Sequence, residues 1–382
     1  MDQEQYSSLL ELFAAMPDPR QARGKRYAWS LILTLIAAAL VSGAQGVRAL
    51  SQWIAERQAE LLALLGGSRQ RLPGATTVRR ALRVVDVADL EARARALGGP
   101  LAPTRRGAGG PPVLVGVALD GKQIRGATAH GARVHLLSLT RHADACVLRQ
   151  QSVAEKTNEI PVAPQLLAGL DLTNVVVTMD ALLTQHAIAA RIRQQHGHYL
   201  MVVKDNQPTL AADIALAFDG RCPVVPGDHV ATVTTVDKRH GRLETRTLDR
   251  TAALNDYLPW PAVGQVLRRT CHSVLLKTGL VRHEVSYAIT SLPAAITTPA
   301  QLETLWRGHW SIENQVHYVR DVTFGEDAGQ VWAGNAPEAL AILRNLLLTV
   351  LRRHGWTNIA DAVRHYGAYA PRALALLGAL PS

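Results

Sequence analysis

Three acidic residues on three separate stretches of this chain have the types and settings for chemistry: Asp120 in VLVGVALDGKQIRG, Asp180 in NVVVTMDALLTQ and Glu313 in LWRGHWSIENQVHY. Each Asp closes a run of β-branched and aliphatic residues, whereas Glu313 sits inside a helical pattern. Carboxylates brought together from separate elements are the oxygen donors with which a fold holds two hard divalent cations, Mg²⁺ or Mn²⁺, for phosphoryl transfer. One ion then activates water or a 3′-hydroxyl and the other stabilises the leaving oxygen. Taken singly, each Asp also fits a turn or cap residue at a strand end. Asp321, Glu326 and Asp327 are rival acids near the third position, but Asp321 is one step past Arg320, off the helical stripe of Glu313. The other two fall in the Gly325 turn.

The elements that must position these acids follow from the apolar periodicity. Residues 113–119, 134–140 and 146–153 read as strands, followed by a short helix near 163–170. A buried strand at 175–179, a helix at 185–195 and a strand at 199–204 come next. Three strands, helix, strand, helix, strand is the order of a ribonuclease-H-like α/β core. In that order the first and fourth strands lie side by side, so Asp120 and Asp180 would be neighbours at the strands' C-terminal ends. Lys122 and Arg125 follow Asp120. Lys204, Asn206 and Gln207 follow the fifth strand at the same sheet end, where ligands gather in open α/β sheets. Lys122, Arg125 and Lys204 are therefore candidates for touching phosphate.

From about 226 to 290 the chain alternates in a β manner, a β-rich insertion (about 220–295) ahead of Glu313. Thr298, Pro299 and Gln301 then form a capping box with a first-turn proline. On the helix that follows, Trp306, His309, Glu313 and Arg320 share one face under the 3.6-residue repeat, so His309 or Arg320 would orient Glu313 or meet a phosphate. Residues 336–380 return to an apolar helical period.

Everything before 98 reads as helix: residues 3–15, the apolar 29–44, 47–65, and a fourth helix after the N-cap pair Thr76 and Thr77. The Gly, Pro and Arg run GGPLAPTRRGAGGPP makes 98–112 a linker between a helical N-terminal, DNA-binding domain (1–97) and a catalytic domain (113–382). The chain's net charge of +10 fits a polyanionic partner. Segment 1–109 holds 15 Lys and Arg against 9 Asp and Glu, which accounts for over half of that excess. Arg79, Arg80 and Arg83 lie within one turn and read either as a phosphate-reading face or as a solvated basic face. Arg242, Glu244 and Arg246 alternate along one strand face, with the same two readings. Trp260 reads as a packing residue ahead of a base-stacking one, and His196 and His198 are too few ligands for zinc.

Cys146, Cys222 and Cys271 form no C-x-x-C pair, which argues against a disulfide framework and suits a reducing cytoplasm. The apolar run 29–44 is shorter than the roughly 18–20 residues that span a bilayer, so no membrane partner is expected.

DGKQIRG, EKTNEIP, TMDALLTQ, YLMVVKDNQ, HGRLETR, ITSL, HWSIEN and DVTFGEDA together resemble the motif series of bacterial insertion-sequence DDE transposases. The resemblance is to the ISAs-type, H-repeat-associated branch, and with MPDPRQARGKRY and TTVRRALRVVD it covers nearly the whole chain. It implies a ribonuclease-H-like fold with a β-rich insertion and a metal-binding catalytic triad of Asp120, Asp180 and Glu313. Related transposases carry Tyr-x2-Arg-x3-Glu-x6-Lys around the last acid. Here those places hold Trp306, His309, Glu313 and Arg320, so His stands where Arg is the rule, and the phosphate contact would fall to either the nearby Arg307 or Arg320.

The implied activity is metal-dependent cleavage of element ends followed by strand transfer. The partners would be DNA, as terminal inverted repeats and target, and a second copy of the chain, in a nucleoid-associated bacterial setting. A nuclease that cuts without transposing, or a catalytically silent DNA-binding protein of the same fold, are the alternatives. Intact acids at all three positions weigh against the last.

Overall fold

A computed structural model describes residues 6–66, 70–98, 101, 113–129, 132–153, 158–219, 230–239, 241–329 and 331–380. The expected linker lies almost wholly outside these residues, as does Cys222. The fold is mixed α/β, with helices at both ends of the chain and a nine-stranded sheet between.

The N-terminal helices are α1 (Leu9–Ala14), α2 (Trp29–Val41), α3 (Val47–Glu56), α4 (Gln58–Leu65), α5 (Ala75–Val84) and α6 (Val87–Gly98). The apolar run is a buried helix: every residue of α2 except Ser30 is enclosed. Among the described residues no helix is long and apolar enough to cross a membrane. Two expectations need correcting here. The single helix over 47–65 is broken at Arg57, and α5 is capped by the Gly74 backbone rather than by Thr76 or Thr77.

The sheet uses β1 (Val115–Ala129), β2 (Ala132–Arg141), β3 (Val147–Ser152), β4 (Val175–Met179), β5 (His198–Val203), β6 (Ala231–Arg239), β7 (Arg242–Thr251), β8 (Gln265–Leu275) and β9 (Val281–Thr290). Their spatial order is β3-β2-β1-β4-β5-β9-β8-β7-β6. As expected, β1 runs beside β4 in parallel, from Val115↔Val175 to Leu119↔Met179. β1 is longer than the sequence pattern suggested. It continues past Asp120 in antiparallel pairing with β2, because only its β4 side runs out at Leu119. The inserted strands are not a separate sheet: β9 pairs with β5, so β6–β9 prolong the central one.

On one sheet face, α7 (Glu159–Leu167), α8 (His186–Gln194) and α9 (Pro208–Phe218) cover Val117, Leu119, Val175, Val177 and Met179. The opposite face carries α10 (Pro299–Ile312), whose Leu302, Leu305 and Trp306 pack on Val176, Leu200 and Leu267. Two π-helical turns, Glu313–His317 and Val319–Thr323, continue α10. The chain ends in α11 (Ala336–Arg353), α12 (Ile359–Ala368) and α13 (Ala370–Leu376). One apolar core joins α1–α6 to the π-helical turns and α11–α13, so the N-terminal helices share their interior with the C-terminal ones.

Candidate active site

The strand register places Asp120 and Asp180 one residue beyond the paired Leu119 and Met179, at the same end of neighbouring parallel strands. Side chains alternate along a strand. Ala118, Asp120 and Lys122 therefore face the α10 side, as do Val176 and Thr178 just ahead of Asp180. Asp180 leaves β4 in a tight turn. Its Oδ1 accepts the Leu183 N–H at 3.2 Å, and its carbonyl accepts the Thr184 hydroxyl at 3.1 Å. Asn206 and Gln207 hold the same turn by donating to the Ala181 and Thr184 carbonyls, so they brace the Asp180 loop.

Glu313 reaches this sheet end because α10 docks unusually close to it. A β-carbon on Gly116 of β1 would lie 2.3 Å from His142 Nδ1, and one on Gly308 of α10 would lie 2.1 Å from the same atom. His142 thus fills a gap that two glycines leave. Its Nε2 is 2.9 Å from Thr178 Oγ1, which also lies 3.3 Å from His309 Nδ1. Burial pushes both imidazoles down, His142 to about 3 and His309 to about 4, so both are neutral near pH 7. The capping box at Thr298 and Gln301 fixes where this helix starts, as expected. One turn beyond His309 the backbone loosens into the π-helical turns, a distortion that is frequent at functional sites.

The three acids sense one another. Burial, then Asp180, Glu159 and Glu313, push the Asp120 carboxyl up to about 8. Burial and then Asp180 raise Glu313, and burial raises Asp180, with Glu159 adding to it and Lys204 opposing. Glu159, at the start of α7, is the acid that sequence reasoning passed over. It accepts or shares a 2.7 Å hydrogen bond with His135 Nε2. A β-carbon on Gly121 would lie 1.8 Å from its Oε1. The glycine after Asp120 is thus what lets Glu159 approach, and its place within EKTNEIP was the available signal. His317, four residues after Glu313, was also missed. Its Nδ1 is 3.6 Å from Asp120 Oδ2, and burial holds it at about 3, so it faces the carboxyl as a neutral ring.

The expected phosphate contacts divide into those the solvent reaches and those it does not. Lys122 is buried, with Nζ 2.6 Å from Asp321 Oδ1, so it is an internal ion pair and not a DNA contact. Arg320 is fully enclosed, 2.6 Å from Glu326 Oε2, and Arg344 approaches the same carboxylate at 3.1 Å. The stripe Trp306–His309–Glu313–Arg320 assumed an unbroken 3.6-residue helix. The i→i+5 bonding of the π-helical turns widens each turn and carries Arg320 inward. His309 is likewise corrected: it is a buried link to Thr178, not a surface ligand.

Arg246 is held between Asp237, at 2.8 Å, and Glu244, and Arg307 meets the same Asp237 oxygen at 2.8 Å. Arg125, Lys204 and Arg242 are exposed, as are Arg79, Arg80 and Arg83 on α5. A cleft of about 1140 Å³ runs between the β6–β8 surface and α10, reaching Trp310, Asn314 and Gln315 beside Glu313.

Hard carboxylate oxygens whose charges repel one another suit a divalent cation, which would relieve that repulsion. By donor chemistry Asp120, Asp180 and Glu313 fit such an ion. Among the described residues, however, no three His, Cys, Asp or Glu side chains stand ready-grouped around a metal position.

Comparison with known proteins identifies the family of the chain. The family described as "Transposase DDE domain" matches residues 111–350, and an N-terminal one described as "DDE_Tnp_1-associated" matches residues 10–97. "Putative transposase YncI" of Escherichia coli O157:H7 is 29% identical over 365 residues, covering 90% of this chain and 87% of that protein. "H repeat-associated putative transposase YhhI" of Escherichia coli (strain K12) is 26% identical over 354 residues, covering 90% of each. The piggyBac transposase in a cryo-EM synaptic complex with hairpin DNA superposes with a TM-score of 0.45 at 10% identity, over 97% of this chain and 80% of that one. The chain belongs to the DDE-domain transposases, in their H-repeat-associated family.

Proposed function

We propose that this transposase cleaves the ends of its element in a metal-dependent reaction and joins them to target DNA, with Asp120, Asp180 and Glu313 as the metal-binding carboxylates. The observation that carries the reading is the shared β1–β4 register, which brings Asp120 and Asp180 to one sheet end under the helix of Glu313. Mg²⁺ or Mn²⁺, when bound, would supply the positive charge that stabilises attacking and leaving oxygens. The chain's own residues do the positioning. The Leu183 N–H fixes the Asp180 carboxylate, and the neutral His142–Thr178–His309 linkage sets the height of α10 above the strands. The strand order, with β6–β9 added at the β5 edge, supports reading the sheet as a ribonuclease-H-like core carrying a β-rich insertion. DNA would lie across the cleft beside Glu313, which Arg242 lines, with Arg125 and Lys204 as further exposed cations for its backbone. Two copies would hold the paired ends.

The test is cleavage of a labelled duplex carrying the element's terminal repeat, with Mg²⁺ or Mn²⁺. Asp120→Asn, Asp180→Asn and Glu313→Gln should each abolish cutting while leaving duplex binding in EDTA unchanged. Wild-type cutting by all three variants would overturn the assignment.

A further inference from the structure

A second groove lies away from the three acids, where the N-terminal helices meet the loop that follows the π-helical turns. Its volume is about 490 Å³, and its walls include Arg48 from α3, Arg79 and Arg83 from α5, and Trp332 from the loop. Among the described residues, the lining contains three arginines and no carboxylate. The cleft beside Glu313 differs sharply in this respect, since it mixes its arginines with Asp237, Glu244, Glu284 and Glu303. Arg48, Arg79 and Arg83 are all exposed, and no ion pair among the described residues engages them. Arg79 and Arg83 are one turn apart on α5 and so present both guanidinium groups to the same side, whereas Arg80 lies outside the groove. Trp332 leaves 61% of its surface open, although large aromatics usually bury theirs.

The two walls are locked together. The Asn335 amide donates from Nδ2 to the Val85 carbonyl at 2.9 Å, and Arg344 Nη2 donates to the Gln45 carbonyl at 2.9 Å. Gly334 passes so close to α5 that a β-carbon there would lie 2.9 Å from the Arg83 carbonyl oxygen. The groove is therefore a preformed, composite surface built by both halves of the chain.

We propose that this groove grips one strand of DNA, with Arg48, Arg79 and Arg83 on consecutive phosphates and the Trp332 indole stacked on an unpaired base. The proposal rests on the transposase reading and extends it to a second DNA site outside the acid cluster. Arginines facing one way satisfy phosphate geometry. An exposed indole beside them offers the stacking platform that single-stranded nucleic acid uses without regard to sequence. A protein partner would have to bring carboxylates to three arginines and a separate planar group to the indole, whereas a nucleic-acid strand carries phosphates and planar bases on one repeat.

The test uses the full chain in EDTA, so that binding is read without cleavage, and two fluorescent probes: a fully paired duplex and the same duplex with a short unpaired extension. Arg79→Ala/Arg83→Ala should weaken binding of both probes and reduce the slope of log K against log salt by about 2, roughly one per lost phosphate contact. Trp332→Ala should weaken only the probe with the unpaired extension, by roughly 5- to 100-fold. Trp332→Phe should recover most of that loss. Circular dichroism and the thermal midpoint establish that each variant is folded. Unchanged affinity and salt slope in the double variant would overturn the site. Equal effects of Trp332→Ala on both probes would overturn the stacking role. Failure of the proposed function is distinguishable, because it would show as normal cleavage by Asp120→Asn, Asp180→Asn and Glu313→Gln alike, whatever the groove variants do.

Discussion

Lys122 Nζ stands 2.6 Å from Asp321 Oδ1, tying the strand that carries Asp120 to the π-helical turn that follows the one carrying Glu313. The lysine is two residues from Asp120 on the same strand face, so the pair works as a strut across the site. Breaking it leaves a half-buried carboxylate without its cation. Lys122→Ala should therefore cost roughly 2 kcal/mol of stability, below the 3–5 kcal/mol of a fully buried pair because Asp321 remains partly solvated. Urea unfolding checks this, and Lys122→Ala/Asp321→Asn should regain part of the loss. If the separate costs of Lys122→Ala and Asp321→Asn simply add in the double variant, the pair is not coupled.

Glu159 makes a separate prediction about metal binding. Asp120 is pushed up to about 8 by burial, Asp180, Glu159 and Glu313, so protons compete with a cation for it up to that pH. In the wild type, Mn²⁺ affinity should climb with pH until about 8. Glu159→Gln removes one of the repelling charges and lowers the Asp120 value, so the climb should level off at a lower pH. Calorimetric titration with Mn²⁺ across pH 5–9 reads the shift. An identical profile in the variant would show that Glu159 does not act on Asp120.

How much of this was legible in the sequence depended on the range of the interaction involved. The adjacency of Asp120 and Asp180 could be read because three strands, a helix and a fourth strand follow the order of a ribonuclease-H-like core, in which the first and fourth strands are neighbours. The capping box at Thr298 was equally plain, being local chemistry within four residues. Arg320 was misread because the stripe argument presumed uniform helix, and nothing local in ENQVHYVRDVT announces wider turns. Lys122 was misread for a similar reason: its partner Asp321 is 199 positions away. Glu159 was in plain view in EKTNEIP, but its role depends on a glycine in another strand making room.

Glu91 provides a stability prediction far from the acids. It lies on α6 against β3 and α11, where burial first and Glu338 next push it up to about 7 in spite of Arg95. The folded carboxyl thus holds its proton to higher pH than the unfolded one, whose value is near 4.5. Folding is unpenalised below about 4.5, loses stability between there and 7, and carries the full penalty above 7. Glu91→Gln should raise stability at pH 8 by roughly 2–3 kcal/mol, after discounting for partial solvation, and change it little at pH 4. Thermal melts of both proteins at the two pH values decide it. A gain of equal size at both would point to packing and not to ionisation. DNA cleavage should be unaltered.

The close approach of α10 makes Gly308 the position where a single methyl group should reach the active site through packing alone. Alanine is favoured over glycine within a helix by about 1 kcal/mol, so propensity alone predicts stabilisation. Against that, the new β-carbon would meet His142 Nδ1 at 2.1 Å, and the ring is held at its other nitrogen by Thr178. The imidazole is partly exposed where it borders the cleft, so either it swings out and loses its Thr178 hydrogen bond or the helix lifts, and both disturb the packing under α10. Overpacking of this kind costs roughly 1–3 kcal/mol, enough to outweigh the propensity gain. Glu313 lies little more than one turn further on and would be displaced from Asp120 and Asp180. Gly308→Ala should therefore reduce cleavage by at least tenfold while leaving DNA affinity in EDTA unchanged. The companion Gly308→Ala/His142→Ala, which removes the obstructing ring, should restore much of the rate. If relieving the clash restores nothing, the height of α10 is not what sets the geometry of the three acids.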